Sequence, residues 1–256
     1  MILHAIERGQ GAPVALLHGL YGQANNFGAV QRRLAQGRRV IALDLRNHGT
    51  SPHTPAMSYT DMASDVLETL EAIAALPCAL AGHSMGGKVA MRAALDAPAA
   101  VSRLLIADIA PVAYDHAGFH GRYVAAMRAV PLRPGLPRAE ADAALAEAVP
   151  DRATRGFLLQ NLRFGGTPSW RLNLEAIGTA LEGLAGWPEP EDGPYPGPAL
   201  FLAGGRSDYV RPEYREAIQA LFPAARVMTL KDSGHWVHAD DPEGFLAAVE
   251  AFIPAA

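Results

Sequence analysis

Residues 78–90 read Cys-Ala-Leu-Ala-Gly-His-Ser-Met-Gly-Gly-Lys-Val-Ala, and this stretch decides how the rest of the chain is interpreted. It predicts a short apolar strand, a sharp turn with Ser84 at its tip, and a helix that begins at two glycines. Residues 82–86 match Gly-x-Ser-x-Gly, the pattern of a nucleophile elbow, in which a strained turn presents a serine hydroxyl. Glycine is needed on both sides because so tight a turn leaves no space for a Cβ atom. An ordinary glycine-rich turn is the alternative, so the motif needs support from elsewhere in the chain.

Length and composition restrict the class of protein. A chain of 256 residues can form one α/β domain with a sizeable core. Its hydrophobic fraction of 50% and charged fraction of 19% indicate a folded chain rather than a disordered one. A net charge of -4, without any basic tract, argues against a nucleic-acid partner.

Cysteine usage and the apolar segments indicate the compartment. Cys78 is the only cysteine, so an intrachain disulfide is impossible, which is typical of a reducing environment. Residues 1–9 lack a basic segment followed by a long apolar run, and no apolar stretch approaches the ~20 residues of a membrane span. We therefore expect a cytoplasmic protein with no membrane partner, while the sequence leaves the oligomeric state open.

Apolar segments of strand length alternate with helical patterns on both sides of the elbow. The spacing between them allows crossover helices, which predicts a mostly parallel sheet with helices on both faces. Helices are expected from Asn25 to about residue 35, from Ser58 or Thr60 onward, and at residues 212–221 and 242–252. Besides the elbow strand, strands are predicted at residues 2–6, 13–17, 39–43, 101–107, 199–203 and 226–230.

The alternation stops between residues 112 and 187. This segment shows several helical patterns and no convincing strand, and it is too long for a structureless loop in a compact domain. We predict a helical cap, residues 112–187, inserted into a core of residues 1–111 and 188–256. A proline-rich stretch, residues 187–198, ends the insertion.

A serine nucleophile requires two further catalytic residues elsewhere in the sequence. Its hydroxyl needs a base, and the base needs an acid to orient it and to stabilise its charged form. After an elbow these partners follow in the order serine, acid, histidine, and His235 lies beyond the last predicted strand. Alone, His235 would be read as a surface histidine; with the elbow and this position, it is the candidate base.

The transition state also needs backbone N–H donors for its oxyanion. One is expected from the residue after the nucleophile, Met85, and the other from the loop after an early strand. Here that loop begins His18-Gly19, which makes Leu20 the second donor. Because both roles belong to the backbone, side-chain identity barely constrains them.

Several motifs together resemble one family. The chain resembles the α/β-hydrolases over essentially its whole length, and within them the small bacterial YbfF-type esterases, whose relatives include mitochondrial abhydrolase-domain esterases. The resemblance implies an enzyme that hydrolyses small-molecule carboxylic esters, and also thioesters, without a metal or an organic cofactor. The stretches that carry it are residues 18–19, 44–52, 82–88, 108–111 and 234–238.

The acid of the triad has two candidates. Most of the superfamily carries it in a Gly-x-x-Asp-x-x-Val pattern, but residues 204–210 place Ser207 there and Asp208 one residue late. Neighbouring side chains of an extended segment point to opposite sides, so one residue matters. In YbfF-type esterases the acid follows the strand after the elbow helix, which corresponds to Asp108, at the strand end where α/β sheets place their chemistry. We favour Asp108, with Ser207 as an auxiliary that bonds His235 or Asp108; a loop-capping role for Asp108 stays open.

Other polar residues are interpreted as structural. Asp44 precedes the serine and is expected to hold its own loop by hydrogen bonds. His238 is expected to support the His235 loop, and Asp240 and Asp241 to cap the last helix. His116 and His120 are four residues apart, as metal ligands on one helix face can be, but no third ligand is evident and no metal site is predicted.

The nature of the substrate leaves alternatives open. The aromatic and methionine residues of the cap, including Tyr123, Met127, Phe157, Phe164 and Trp170, together favour an apolar acyl pocket under a lid. A serine at the elbow argues against dehalogenases and epoxide hydrolases, whose nucleophile is an aspartate. The same triad also serves perhydrolases and carbon–carbon bond hydrolases, and a binding protein without activity can retain it.

Overall fold

A seven-stranded sheet lies at the centre of the molecule, which a computed structural model describes over residues 1–188 and 193–255. The strand order is β1-β3-β2-β4-β5-β8-β9, with β1 antiparallel to β3 and all other neighbours parallel. The elbow strand β4 is therefore the central strand of the sheet. The strands are β1 (Ala5–Arg8), β2 (Pro13–Leu17), β3 (Arg39–Leu43), β4 (Cys78–His83), β5 (Val101–Ala107), the separate pair β6 (Leu162–Arg163) and β7 (Ser169–Trp170), β8 (Ala199–Gly204) and β9 (Ala225–Leu230).

Helices cover both faces of the sheet, as the α/β prediction requires. Along β4, Leu80 belongs to the hydrophobic cluster on one face and Ala81 to that on the other. No helix in the described part of the chain is long and apolar enough to cross a membrane. The helices are α1 (Gly28–Leu34), α2 (Tyr59–Ala72), α3 (Met85–Asp96), α4 (Ala117–Ala129), α5 (Arg138–Leu145), α6 (Arg152–Leu158), α7 (Leu174–Ala185), α8 (Arg215–Leu221), α9 (Val237–Asp240) and α10 (Pro242–Phe252).

The starts of two helices can be compared with the N-caps predicted from the sequence. The Ser58 hydroxyl accepts the Asp61 N–H and so caps α2, as one of the two alternatives predicted. Asn25 was the wrong start for the first helix. It lies inside a 3-10 turn, Ala24–Phe27, which the Gln23 N–H secures by donating to Asn26 Oδ1, and α1 begins only at Gly28.

The cap segment, residues 112–187, contains α4 to α7 and the short pair β6-β7. The expectation of no strand there is wrong, since Leu162 pairs with Trp170. A two-residue strand carries no alternating pattern that a sequence can reveal. The division into core and cap stays a prediction, and residues 189–192 of the proline-rich stretch lie outside the described residues.

Hydrogen bonds between residues 1–111 and the cap segment hold that segment at three places. The Tyr59 hydroxyl donates to the Leu184 carbonyl at 2.6 Å, at the end of α7. The Asn161 amide donates to the Tyr21 carbonyl at 2.7 Å. The Asn173 N–H donates to Asn47 at 3.0 Å. These contacts keep the cap segment over the edge of the sheet at which the parallel strands end.

Candidate active site

The turn between β4 and α3 holds Ser84 in a strained conformation. Its φ of 52° and ψ of -120° are unusual for a residue with a side chain and place it alone at the tip of the turn. A Cβ at position 82 would collide with the Gly86 carbonyl, and one at position 86 with the Leu17 and His18 carbonyls. The two glycines of the motif therefore permit the approach of α3 to β2 and β4.

A continuous chain of hydrogen bonds joins three of the predicted site residues. His235 Nε2 lies 2.9 Å from Ser84 Oγ, and His235 Nδ1 lies 2.8 Å from Asp108 Oδ2. A carboxylate accepts only, so Nδ1 carries the proton and Nε2 is left as the acceptor for the serine hydroxyl. The three side chains come from the turn after β4 and the loops after β5 and β9, at one edge of the sheet.

Asp108 is fully buried, with 0% of its side chain exposed, and its carboxylate has three donors. The Gly204 N–H donates to Oδ1 at 2.8 Å, and both the Ser207 hydroxyl and His235 contact Oδ2. Its φ of 51° shows that the backbone bends sharply where β5 ends. Of the two partners predicted for Ser207, the structure places Asp108 against it.

Asp208 lies outside this group of residues. Its side chain is 90% exposed, and the nearest cation is Arg211, with Nε 4.0 Å from Oδ1. Ser207 contacts the Asp108 carboxylate, while the Asp208 side chain is exposed. The segment is a turn, in which the Ser207 N–H donates to the Gly204 carbonyl at 3.1 Å, and not the extended segment that the sequence argument assumes.

Leu20 and Met85 are the two residues whose N–H groups the sequence predicts as oxyanion donors. Both residues line a cavity together with Ser84. Met85 is the first residue of α3, so its N–H has no partner within the helix. Within residues 1–188 and 193–255, no protein acceptor takes either N–H.

Two buried histidines hold the loop that contains Leu20, a role that the sequence did not reveal. His18 Nδ1 donates to the Gly19 carbonyl at 2.8 Å, while Nε2 accepts the Leu45 N–H at 3.0 Å. His48 Nε2 accepts the Tyr21 N–H at 3.3 Å. Burial lowers the pKa of both rings, that of His48 to about 3, so they stay neutral and fix the loop as uncharged acceptors.

Two further residues that the sequence did not single out position His235. His83 Nε2 donates to the His235 carbonyl at 2.8 Å, and burial keeps the pKa of His83 well below its usual value. The Tyr209 ring stacks on the imidazole of His235, with ring centroids 4.0 Å apart. The variable position of Gly-x-Ser-x-Gly and the residue after Asp208 carry these roles; a single sequence gives no signal for either.

Of the polar residues interpreted as structural, Asp44 and Asp241 have the predicted roles and Asp240 does not. Asp44 accepts the N–H groups of Ala24 and Thr50 and so ties down its loop. Asp241 caps α10, but Asp240 instead accepts the Gly234 N–H, beside the active-site histidine. The prediction for Asp240 as a helix cap is wrong because the short helix α9 contains it.

Two cavities meet at Ser84. The larger, of about 230 Å³, is mostly apolar and lies on the side of His235, Trp236 and His238. Of the cap residues expected at the pocket, Tyr123 and Phe157 line it. Met127 is buried, and the Trp170 indole N–H donates to its carbonyl, while Phe164 is 38% exposed; neither lines the cavity. The smaller cavity, of about 50 Å³, lies on the side of Met85 and Lys88.

Comparison with known proteins gives concordant matches. The model of the alpha/beta hydrolase family matches residues 14–248. The chain is 42% identical to mouse sn-1-specific diacylglycerol lipase ABHD11, over 94% of this chain and 80% of that protein. It is 36% identical to Escherichia coli esterase YbfF, over 94% and 93% of the two chains. A solved structure described as a marine microorganism esterase superposes with a TM-score of 0.95 at 33% identity, covering 98% of this chain and 99% of that one.

Proposed function

Because this chain belongs to the alpha/beta hydrolase family, and its relatives carry the names of esterases and lipases, we propose that it hydrolyses carboxylic esters. Ser84 is the nucleophile, His235 the general base and Asp108 the acid that orients His235. The observation that carries the proposal is the hydrogen-bond chain from Asp108 through His235 to Ser84, at 2.8 and 2.9 Å. A chain of this kind is what a weakly nucleophilic hydroxyl needs at neutral pH.

In the acylation half of the reaction, Ser84, His235, Asp108 and the two N–H groups each have a distinct role. His235 Nε2 takes the Ser84 proton as Oγ attacks the ester carbonyl carbon, and the N–H groups of Leu20 and Met85 bind the resulting oxyanion. Asp108 stabilises the imidazolium that forms. When the tetrahedral intermediate collapses, His235 gives this proton to the leaving alkoxide, and the acyl group stays on Ser84.

Deacylation repeats these steps with water as the nucleophile. His235 takes a proton from water, the hydroxide attacks the acyl carbon, and the proton returns to Ser84 Oγ as the carboxylic acid leaves. A thioester follows the same course with a thiolate as leaving group, so thioesters of small molecules fall within the proposal.

Turnover of p-nitrophenyl butyrate by the purified protein tests the proposal. In Ser84→Ala we expect kcat to fall by at least about 10⁴-fold, the scale of losing a triad nucleophile. Ser102→Ala, at an exposed serine of β5, is the matched control and should keep the wild-type rate. Equal, slow hydrolysis by wild type and Ser84→Ala would contradict the proposal and favour a binding protein.

A covalent probe gives a second readout. A fluorophosphonate should add one equivalent of phosphonyl group at Ser84, detected by peptide mass spectrometry, and Ser84→Ala should remain unmodified.

A further inference from the structure

Lys88 is a buried cation one helical turn after the nucleophile. It lies in the first turn of α3, whose N-cap is Ser84, and the two residues line the same small cavity. The Nζ atom donates to the carbonyls of Gly186 at 2.6 Å and Ala185 at 3.3 Å, which end α7. It also lies 4.9 Å from the Tyr114 ring centroid and 5.4 Å from that of Tyr59. The residue is only 1% exposed.

The charge of Lys88 is not neutralised within the described residues. None of the ion pairs formed by residues 1–188 and 193–255 includes it. The two α7 carbonyls and the two rings favour the ammonium, but the first turn of α3 disfavours a cation. Burial outweighs these contacts and lowers the pKa of Lys88 to about 7. Two of the three N–H groups have protein acceptors, which leaves one for a ligand.

The small cavity brings this ammonium and the nucleophile together. Ser84 and Lys88 both line it, and so do Tyr59, Tyr114 and Ala185, the residues that surround Nζ. No aspartate or glutamate among residues 1–188 and 193–255 lines it. Its volume of about 50 Å³ corresponds to roughly four water-sized atoms, at ~10–15 Å³ for each. An occupant of this cavity is therefore small, and the cavity offers it a positive charge.

The position of His235 decides which part of an ester enters which cavity. The leaving oxygen must lie within hydrogen-bond reach of His235, because that histidine protonates it. Ser84 and Leu20 line both cavities, whereas His235 lines only the larger one and Met85 only the smaller one. The leaving group thus belongs to the larger cavity and the acyl chain to the smaller.

We propose that the small cavity binds the acyl part of the substrate and that Lys88 recognises a carboxylate at its end. The preferred acyl groups are then short half-esters of dicarboxylic acids, with about one or two methylene groups between the carboxylate and the ester carbonyl. This inference rests on the proposed ester hydrolysis and names its substrate class. Such a carboxylate supplies the counter-ion that none of the residues 1–188 and 193–255 provides to Lys88.

Matched esters test the preference in the wild-type protein. Monobenzyl succinate and benzyl 4-methylpentanoate share the leaving group and the acyl length, and differ in a carboxylate against an isopropyl group. We expect kcat/KM, followed by release of benzyl alcohol, to be about 10- to 100-fold higher for the succinate, the range of a charge-assisted contact. A ratio near or below one overturns the proposal, while hydrolysis of neither ester points instead against the proposed function.

A third ester tests the orientation. The 4-carboxybenzyl ester of 4-methylpentanoic acid carries its carboxylate on the leaving group. We expect no gain over the benzyl ester. A preference for this compound, in place of monobenzyl succinate, would place the leaving group beside Lys88 and overturn the assignment of the cavities.

The two lysines of the chain provide matched variants. Lys88→Met removes the charge and keeps the length, and we expect the succinate preference to fall to near one. Lys231→Met, at the exposed second lysine, should keep the wild-type ratio. A ratio retained in Lys88→Met means that another group recognises the carboxylate, and the proposal then fails.

A pH profile of the wild type decides the question even where Lys88→Met does not fold. Besides Lys88, the ionisable groups on the cavity wall are Tyr59 of α2, Tyr114, His116 and His120 near the start of α4, and Tyr209. Burial raises the pKa of each tyrosine and lowers that of His120 to about 4, so these stay neutral between pH 6 and pH 9. The same profile measured in His116→Gln separates the effect of that histidine from that of Lys88. Lys88 is charged below about pH 7, so the ratio of the two kcat/KM values should be constant there and fall about tenfold per pH unit above it. His235 affects both esters alike and cancels in the ratio. A ratio that does not change from pH 6 to pH 9 contradicts the proposal.

Discussion

The loops after β5 and β8 each carry an aspartate near the edge of the sheet at which Ser84 lies. The two carboxylates differ in burial and in hydrogen bonding. Asp108 is fully buried and receives three hydrogen bonds, whereas the Asp208 side chain is 90% exposed. The strands are neighbours and parallel, so the position of the loop does not account for the difference. The direction of the side chain does: Asp108 occupies the bend that ends its strand, while Asp208 follows a residue that already points inward.

The loop after β8 nevertheless contributes to the acid. It supplies the Gly204 N–H and the Ser207 hydroxyl, both of which donate to the Asp108 carboxylate. A buried carboxylate keeps its charge only when such donors replace the water that it has lost. The two loops thus share one acid between them, with the charge on the first and the hydrogen-bond donors on the second.

Asp108→Asn removes the buried carboxylate and should have the largest effect on kcat among the variants of the two loops. An amide at this position presents an N–H group to His235, which favours the tautomer that cannot accept the serine proton. We expect kcat for p-nitrophenyl butyrate to fall by about 10³- to 10⁴-fold, the scale of a neutralised triad acid. Circular dichroism and thermal unfolding of the variant serve as the folding control. A loss below about tenfold would assign the acid elsewhere.

A double variant tests whether the carboxylate can act from the loop after β8 instead of the loop after β5. In the double variant Asp108→Asn with Ser207→Asp, a carboxylate stands at the position that most of the superfamily uses. Because Ser207 already contacts Asp108 Oδ2 beside His235, we expect about 10- to 100-fold of the lost kcat to return relative to Asp108→Asn alone. No recovery in a folded double variant would show that the bend at Asp108 is required as well as the charge.

Ser207→Ala removes only one donor from the acid. The loss of one hydrogen bond to a charged group costs ~1.5–3 kcal/mol where the site stays dry, and we expect kcat to fall by about 10- to 150-fold with a smaller change in KM. Ser207→Thr keeps a hydroxyl and is the matched control. If Ser207→Ala leaves kcat unchanged, water replaces the hydroxyl and the contribution of the second loop reduces to its backbone.

The fold and the reacting groups are readable from the sequence because each has a local signal. Strand-length apolar runs alternate with helical patterns, and the turn at Ser84 needs glycines that can be seen in the printed chain. His235 follows from its place after the last strand. Asp108 follows from the resemblance of residues 108–111 to one group of esterases and from its place at the end of a strand, since residues 204–210 lack the acid pattern that most of the superfamily carries.

Residues that act through long-range contacts cannot be identified from the sequence in this way. His83 reaches the His235 carbonyl across 152 positions, and His48 holds the Tyr21 N–H across 27. Nothing within a few residues of either marks its partner, because the partner is brought close only when the sheet assembles. The pair β6-β7 cannot be predicted from the sequence for a local reason, because a strand of two residues is too short to show an alternating pattern.

Asp208→Asn should have the smallest effect and so tests the other half of the comparison. Its only cationic neighbour within the described residues is Arg211, in a loose and exposed pair that contributes at most ~1 kcal/mol. We expect kcat/KM for p-nitrophenyl butyrate to change by less than about fivefold, and Arg211→Gln to behave alike because the same pair is lost. Measured beside Asp108→Asn, the variant also controls for the removal of one negative charge near the site. A loss approaching that of Asp108→Asn would mean that the loop after β8 turns its aspartate inward during catalysis, and that the buried carboxylate is the one that maintains the loop.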